Sequence, residues 1–188
     1  MHTYFGIVLI LSFIILVLIR SLSLKKKGIQ AVEFGQKNKS DFILPPFALF
    51  YFYILLSNTF PLPTIPSQQL FYSEIVSWIG VALGACGFLF FVWSLISFKN
   101  SFRVGLANNT AQGLITTGAF AISRNPIYVA FATLLISEFL IYGSWILFIY
   151  IIAGIITFHI QVLREEAFLK EQYGQVFETY CNNVRRYL

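Results

Sequence analysis

Two short polar runs in the C-terminal half hold the side chains best suited to chemistry. The first reads Gln112-Gly113-Leu114-Ile115-Thr116-Thr117-Gly118-Ala119-Phe120 and continues to Arg124-Asn125-Pro126-Ile127-Tyr128. The second is Arg164-Glu165-Glu166, leading to Tyr173-Gly174. Proline suits the first turn of a helix, so a helix is expected to start near Pro126. The free backbone N–H groups of such a start, with Arg124 beside them, make a corner that favours anions. The guanidinium groups of Arg124 and Arg164 can each grip a carboxylate or phosphate with two parallel hydrogen bonds. Glu165 and Glu166 offer acceptors or counter-charges, and Gln161 is near enough in sequence to line the same mouth. His159 or Glu166 could take a proton from an amine. Taken singly, each has an ordinary structural reading. Arg124 can be a membrane anchor, Pro126 a helix cap, the glutamate pair a solvated helix start and His159 an interfacial side chain.

What would bring the two runs together is the segment between them. The 39 residues from Asn125 to Leu163 carry one charge, Glu138. Tyr142-Gly143-Ser144 marks a turn within this apolar stretch, so it is expected to fold back as a membrane hairpin. The rest of the chain agrees with a membrane setting. Of 188 residues, 57% are apolar and 11% charged, against roughly 25% charged in a soluble domain. Met1–Ile19 has no charged side chain and at 1.5 Å per residue spans about 28 Å, close to the hydrocarbon thickness. Further spans are expected over Phe42–Phe60 and Ile75–Phe98, with the hairpin over Ile127–Leu163. The fold class is therefore an all-α integral membrane protein with about five transmembrane helices. Residues 1–98 form three N-terminal spans. Residues 99–188 form a C-terminal catalytic region that ends in a cytoplasmic amphipathic helix, marked by Leu169, Tyr173, Val176, Phe177, Tyr180 and Val184 at helical spacing.

All 13 Lys and Arg residues fall on segments that this topology puts on one side. By the positive-inside rule that side is cytoplasmic, with the N-terminus outside and the C-terminus inside. The first span has no basic n-region and no cleavage pattern after it, so it is expected to remain as an anchor. The net charge of +5 reflects this sorting and gives no reason to invoke nucleic acid. Cys86 and Cys181 lie far apart in the topology, and no Cys/His cluster suggests a metal. Gly80, Gly84 and Gly87 are expected to let helices pack closely. Glu138 is expected near the outer interface.

The two polar runs together resemble the isoprenylcysteine carboxyl methyltransferases and, more broadly, the integral-membrane methyltransferases that include the phospholipid N-methyltransferases. In those proteins a Thr-x-Gly-x-Tyr segment leads into Arg-His-Pro-x-Tyr-x-Gly. A hairpin follows, then Glu-Glu-x-x-Leu-x-x-x-Phe-Gly-x-x-Tyr-x-x-Tyr. This chain has Thr116-Thr117-Gly118-Ala119-Phe120, then Arg124-Asn125-Pro126-Ile127-Tyr128-Val129-Ala130, then Glu165-Glu166-Ala167-Phe168-Leu169 and Tyr173-Gly174-Gln175-Val176-Phe177-Glu178-Thr179-Tyr180. The likeness covers residues 105 to 188. Asn125 stands for the family histidine and cannot titrate, Phe120 for tyrosine, and Ala130 for glycine.

The resemblance implies methyl transfer from S-adenosylmethionine, with S-adenosylhomocysteine as product, to a lipid-like acceptor that enters from the bilayer. Cofactor contacts carry over to Gln112, Gly113, Leu114, Ile115, Phe120, Asn125, Pro126, Tyr128 and Glu165. Arg124, Arg164, Gln161 and Glu166 are the residues expected to handle the acceptor. A prenylated-cysteine carboxylate is the leading acceptor, since it is already ionised and needs no general base. A phospholipid amine is the alternative. More distant readings are an NADPH-dependent reductase of lipid double bonds and a non-enzymatic membrane scaffold.

Overall fold

The computed structural model describes residues 2–26, 44–98 and 113–188. These residues form six α-helices and one short 3-10 turn. The helices are α1 (His2–Lys26), α2 (Leu44–Thr59), α3 (Glu74–Phe98), α4 (Pro126–Tyr142), α5 (Trp145–Tyr173) and α6 (Gln175–Asn183), with the 3-10 turn at Gly118–Ala121. Helices α1, α3 and α5 are long and apolar enough to cross a membrane, while α2 and α4 are apolar but shorter. The expected count of five crossings therefore rests on two helices of 16 and 17 residues, about 24 and 25 Å long.

Helix α1 runs seven residues beyond Ile19, where the apolar pattern stops. Lys25 and Lys26 occupy its last turn, where positive charge complements the helix dipole. One stripe of α1, Gly6, Ile10, Phe13 and Val17, faces the bundle. Val8, Leu11, Ile15, Leu18 and Leu22 point outward and are about half exposed, as expected of side chains that face lipid.

The closest helix pair is α3 with α4, and glycine explains why. A Cβ on Gly80 would lie 2.9 Å from the Ser137 carbonyl oxygen, and one on Gly87 2.9 Å from Thr133 Cγ2. One on Gly84 would collide with Ser137 Oγ. Small residues let the two backbones approach, as membrane packing requires. Ser137 Oγ then donates across the interface to the Gly80 carbonyl, 2.8 Å away. Phe13 stacks on Phe91 with ring centroids 4.8 Å apart, and Phe91 lies 5.2 Å from Phe131. These rings fix α1 and α3 side by side in the same direction, with α4 running the other way.

Helix α4 ends where the turn signal predicts. Gly143 caps it in the left-handed region, φ 61°, donating its N–H to Phe139. A Cβ there would also strike the Phe71 carbonyl, so glycine is needed twice over. The 60–73 loop closes this end. Leu70 N–H donates to the Gly143 carbonyl at 2.7 Å, and Trp145 N–H to the Gln68 carbonyl at 3.0 Å. Glu138 lies near this end but is fully buried, close to the backbone of Gly6 and the ring of Tyr142.

The C-terminal amphipathic segment differs from expectation. It is not one helix. Leu169 and Tyr173 belong to the extension of α5, which runs unbroken through Arg164. Gly174, at φ 51°, breaks the chain before α6. Phe177 and Tyr180 are the buried face of α6, Val176 is exposed, and Val184 already lies beyond the helix end.

Candidate functional site

The polar runs meet at the end of the bundle where α3 stops, α4 starts and α5 passes. Gly118, at φ 67°, sits so close over Ser97 that any Cβ would collide with its Oγ. That hydroxyl accepts the Ala119 N–H at 3.0 Å, tying the 3-10 turn to the end of α3. Phe120 is buried there, its ring 5.0 Å from that of Phe98 in an edge-on contact. Its carbonyl accepts the Tyr180 hydroxyl at 2.6 Å. Burial pushes the Tyr180 phenol up to about 12, against the pull of nearby Arg124. The hydroxyl thus stays a donor throughout the neutral range.

Glu166 is the centre of a buried polar cluster. Its Oε1 accepts Arg124 Nε at 3.1 Å and Asn125 Nδ2 at 3.0 Å, and its Oε2 accepts Arg186 Nε at 3.0 Å. A carboxylate this buried is stable only when its lone pairs are met by donors, and here four donors reach it, the fourth being Arg124 Nη2 at 3.5 Å from Oε2. Arg124 also holds the C-terminal tail, with Nη1 bonded to the carbonyls of Cys181 at 3.0 Å and Val184 at 2.9 Å. The Arg124 backbone N–H bonds the Arg185 carbonyl, and Asn125 Nδ2 also reaches that of Arg186 at 3.1 Å. Residues 184–188 therefore form a strap across the start of α4. Tyr187 fastens its end, 2.7 Å from His159 Nδ1. His159 thus has a side-chain partner in the strap.

Glu165, the neighbouring carboxylate, points elsewhere because successive residues on a helix are rotated by about 100°. Tyr128 donates to its Oε1 at 2.6 Å across the α4–α5 interface, and Gln161, one turn earlier on α5, donates to the same oxygen at 3.0 Å. Its Oε2 accepts nothing from the described residues. Tyr128 also packs against Phe158, with centroids 5.8 Å apart. The result is an acceptor held in fixed orientation beside aromatic faces. Such a place suits an ammonium, a hydroxyl or a sulfonium.

A family model for phospholipid methyltransferases matches residues 75–176. That is 102 of the 188 residues, more than half of the chain. The chain belongs to the phospholipid methyltransferase family. This is the same family group as the isoprenylcysteine carboxyl methyltransferases, so the likeness of the two polar runs holds, and the protein is a membrane methyltransferase. The match starts earlier than the motif resemblance, at the beginning of α3, the helix that carries Ser97 and Phe98. No curated protein matches the chain.

Within this methyltransferase, the predicted site residues fall into three sets. Arg124, Asn125 and Glu166 share the strap cluster, with Pro126 buried at the start of α4. Tyr128, Gln161 and Glu165 share the second corner, and Phe120 is a buried residue of the 3-10 turn. Gly113, Leu114 and Ile115 lead into that turn in irregular chain, the first exposed and the others half-buried. Arg164 is the outlier: it is exposed on α5 and bonds to none of the described residues. Gln112 lies outside the described residues. Sequence reasoning missed Arg186, Ser97, Tyr180 and the strap. Arg185 and Arg186 show no local signal beyond their charge, because contacts made across 60 residues leave no local pattern.

Proposed function

We propose that this membrane methyltransferase uses S-adenosylmethionine to methylate a lipid at the cytoplasmic face, with the carboxylate of an isoprenylcysteine-like substrate as acceptor. The reading includes five crossings, an outer N-terminus and a cytoplasmic C-terminus, in keeping with the sorting of all 13 basic residues. The observation that carries it is the corner of Tyr128, Gln161 and Glu165, where both halves of the family motif converge on one carboxylate. The side chains suit the cofactor. Glu165 has an oxygen uncommitted among the described residues for its amino group or ribose hydroxyls, and Tyr128 and Phe120 supply aromatic surface for adenine or sulfonium. Asn125, Pro126 and the stretch Gly113 to Ile115 are the further proposed cofactor contacts.

When bound, the cofactor supplies a methyl group already activated for transfer. The chain then has to align the acceptor and exclude water. Arg124, Arg164, Arg185 and Arg186 against Glu165 and Glu166 leave four minus two, or +2, at this mouth, a field that draws an anionic headgroup. Because Arg124 is spent on Glu166 and the strap, we assign it to positioning, with Glu166. Arg164, exposed and unpaired among the described residues, is the cation that can reach the acceptor.

The second reading is a phospholipid amine acceptor, favoured by the free oxygen of Glu165, which can take the proton or hold the ammonium. Calorimetry with S-adenosylhomocysteine tests the shared part: absence of binding at millimolar ligand removes both readings. The pH profile separates them. Carboxylate methylation stays flat down to about pH 5, whereas amine methylation falls as the nitrogen protonates.

A further inference from the structure

Arg20 is a basic residue whose surroundings are not those of a surface anchor. It lies seven residues after Phe13, two turns and about 10.5 Å along the same face of α1. It therefore extends the bundle-facing stripe of Gly6, Ile10, Phe13 and Val17. The level it reaches follows from its neighbours. Phe13 packs on Phe91 of α3 and lies 6.0 Å from Phe131 of α4. Seven residues on from Phe91 is Phe98, whose ring meets Phe120. Seven residues back from Phe131 is Arg124. Arg20 thus stands at the level of the 3-10 turn and the start of α4, on the inward side of the first helix.

Its side chain is half-buried, and Nε and Nη2 are fully buried with no hydrogen-bond partner among the described residues. Those two atoms form one edge of the guanidinium, the edge that takes a carboxylate or phosphate side-on through two parallel bonds. Arg124, at the same level, shows that edge in use: its Nε and Nη2 face Glu166 Oε1 and Oε2 at 3.1 and 3.5 Å. Leaving two charged donors buried and unmatched is costly, and no acidic side chain among the described residues answers them.

We propose that Arg20 is a binding residue for a two-oxygen anion, a carboxylate or phosphate, brought by the ligand of the methyltransferase site. That ligand is the lipid headgroup, or else the amino-acid end of the cofactor. Because it builds the anion site into α1, the proposal makes the first helix part of the catalytic region, although the family match begins only at residue 75. It rests on the methyl-transfer reading for the source of the anion, but not for its chemistry.

The test is thermal unfolding of the full chain in neutral detergent. The wild type, Arg20→Gln and Arg20→Lys are compared with dioleoylphosphatidic acid, oleate, S-adenosylhomocysteine and, as uncharged control, monoolein. Phosphatidic acid or oleate is expected to raise the wild-type midpoint above the monoolein control. That shift should vanish in Arg20→Gln and fall by at least half in Arg20→Lys, which keeps the charge but loses the side-on edge. A retained S-adenosylhomocysteine shift in Arg20→Gln assigns the anion to the lipid, whereas loss of that shift alone assigns it to the cofactor. Equal shifts in all three proteins, or no shift with any anion in the wild type, overturn the proposal and leave Arg20 as an anchor. If only S-adenosylhomocysteine fails on the wild type, the methyl-transfer reading falls while the lipid arm still decides Arg20. Should the glutamine variant fail to fold, the lysine variant carries the comparison.

Discussion

The two ends of the α4–α5 pair bury carboxylates in opposite ways. At the motif end, Glu166 meets donors from three side chains, Arg124, Asn125 and Arg186. At the far end, Glu138 is more deeply buried, yet neither oxygen has a partner among the described residues. Tyr51 Oη, Gln68 Oε1 and Ser144 Oγ are likewise buried without partners. One end is a polar lock and the other a set of stranded polar groups. Burial of a charge therefore does not by itself say what the charge is for. At Glu166 the partners reveal a structural role, which is to hold the strap over the start of α4. Between the two extremes stands Glu165, with one oxygen held by Tyr128 and Gln161 and the other bonded to none of the described residues. Half-satisfied acceptors of this kind are what a ligand site requires.

Four measurements probe the contrast between the lock and the stranded end. The largest effect belongs to Glu166→Ala, which strands two guanidinium groups and frees the strap. It should cost about 3–5 kcal/mol, seen as a lowered unfolding midpoint and rapid proteolysis of residues 184–188. An unchanged midpoint would mean that the lock contributes nothing. Glu138→Leu should act in the opposite direction, raising stability by about 1–3 kcal/mol by removing an unpartnered polar group. A variant that unfolds instead would show that the far end is not stranded at all. Tyr128→Phe removes one charge-assisted hydrogen bond to Glu165, worth about 1.5–3 kcal/mol. Spread between fold and ligand, that loss is expected to weaken S-adenosylhomocysteine binding by about tenfold, with titration calorimetry as the readout. The smallest effect concerns Cys181. Burial raises its thiol, against the pull of Arg124, so less thiolate is present at pH 7.5 and maleimide labelling should be slower than for a free cysteine, rising at higher pH. In Glu166→Ala the rate should approach that of an unstructured thiol, whereas slow labelling there would argue that the strap holds without its central carboxylate.

Much of this was legible in the residues. The absence of charge over Met1–Ile19 and Ile75–Phe98 pointed to α1 and α3, because a 20-residue apolar run has few other stable outcomes. Pro126 and Gly143 marked the two ends of α4 for steric reasons that hold in any fold. The pairing of the two polar runs followed from one turn signal and a stretch with a single charge. The roles of adjacent side chains were not legible. Glu165 and Glu166 are equivalent in a linear reading, and only the helix rotation sends one to Tyr128 and the other into the strap. Arg124 invited a ligand-binding role from its type and position, but its donors are taken up by Glu166 and by carbonyls some 60 residues away. Arg20 counted as one more positive charge at a membrane edge, since nothing local announces that its heptad stripe turns it inward.

The linear chain thus dictates which segments are helical and apolar and where they stop. Those properties follow from backbone sterics and transfer free energies that act residue by residue. Which polar groups satisfy one another, and which remain open, was left to the packing of the helices. Hydrogen bonds act over about 3 Å, and nothing short of the folded bundle brings Arg124 to Cys181, Tyr128 to Glu165 or Arg20 to the level of Phe120.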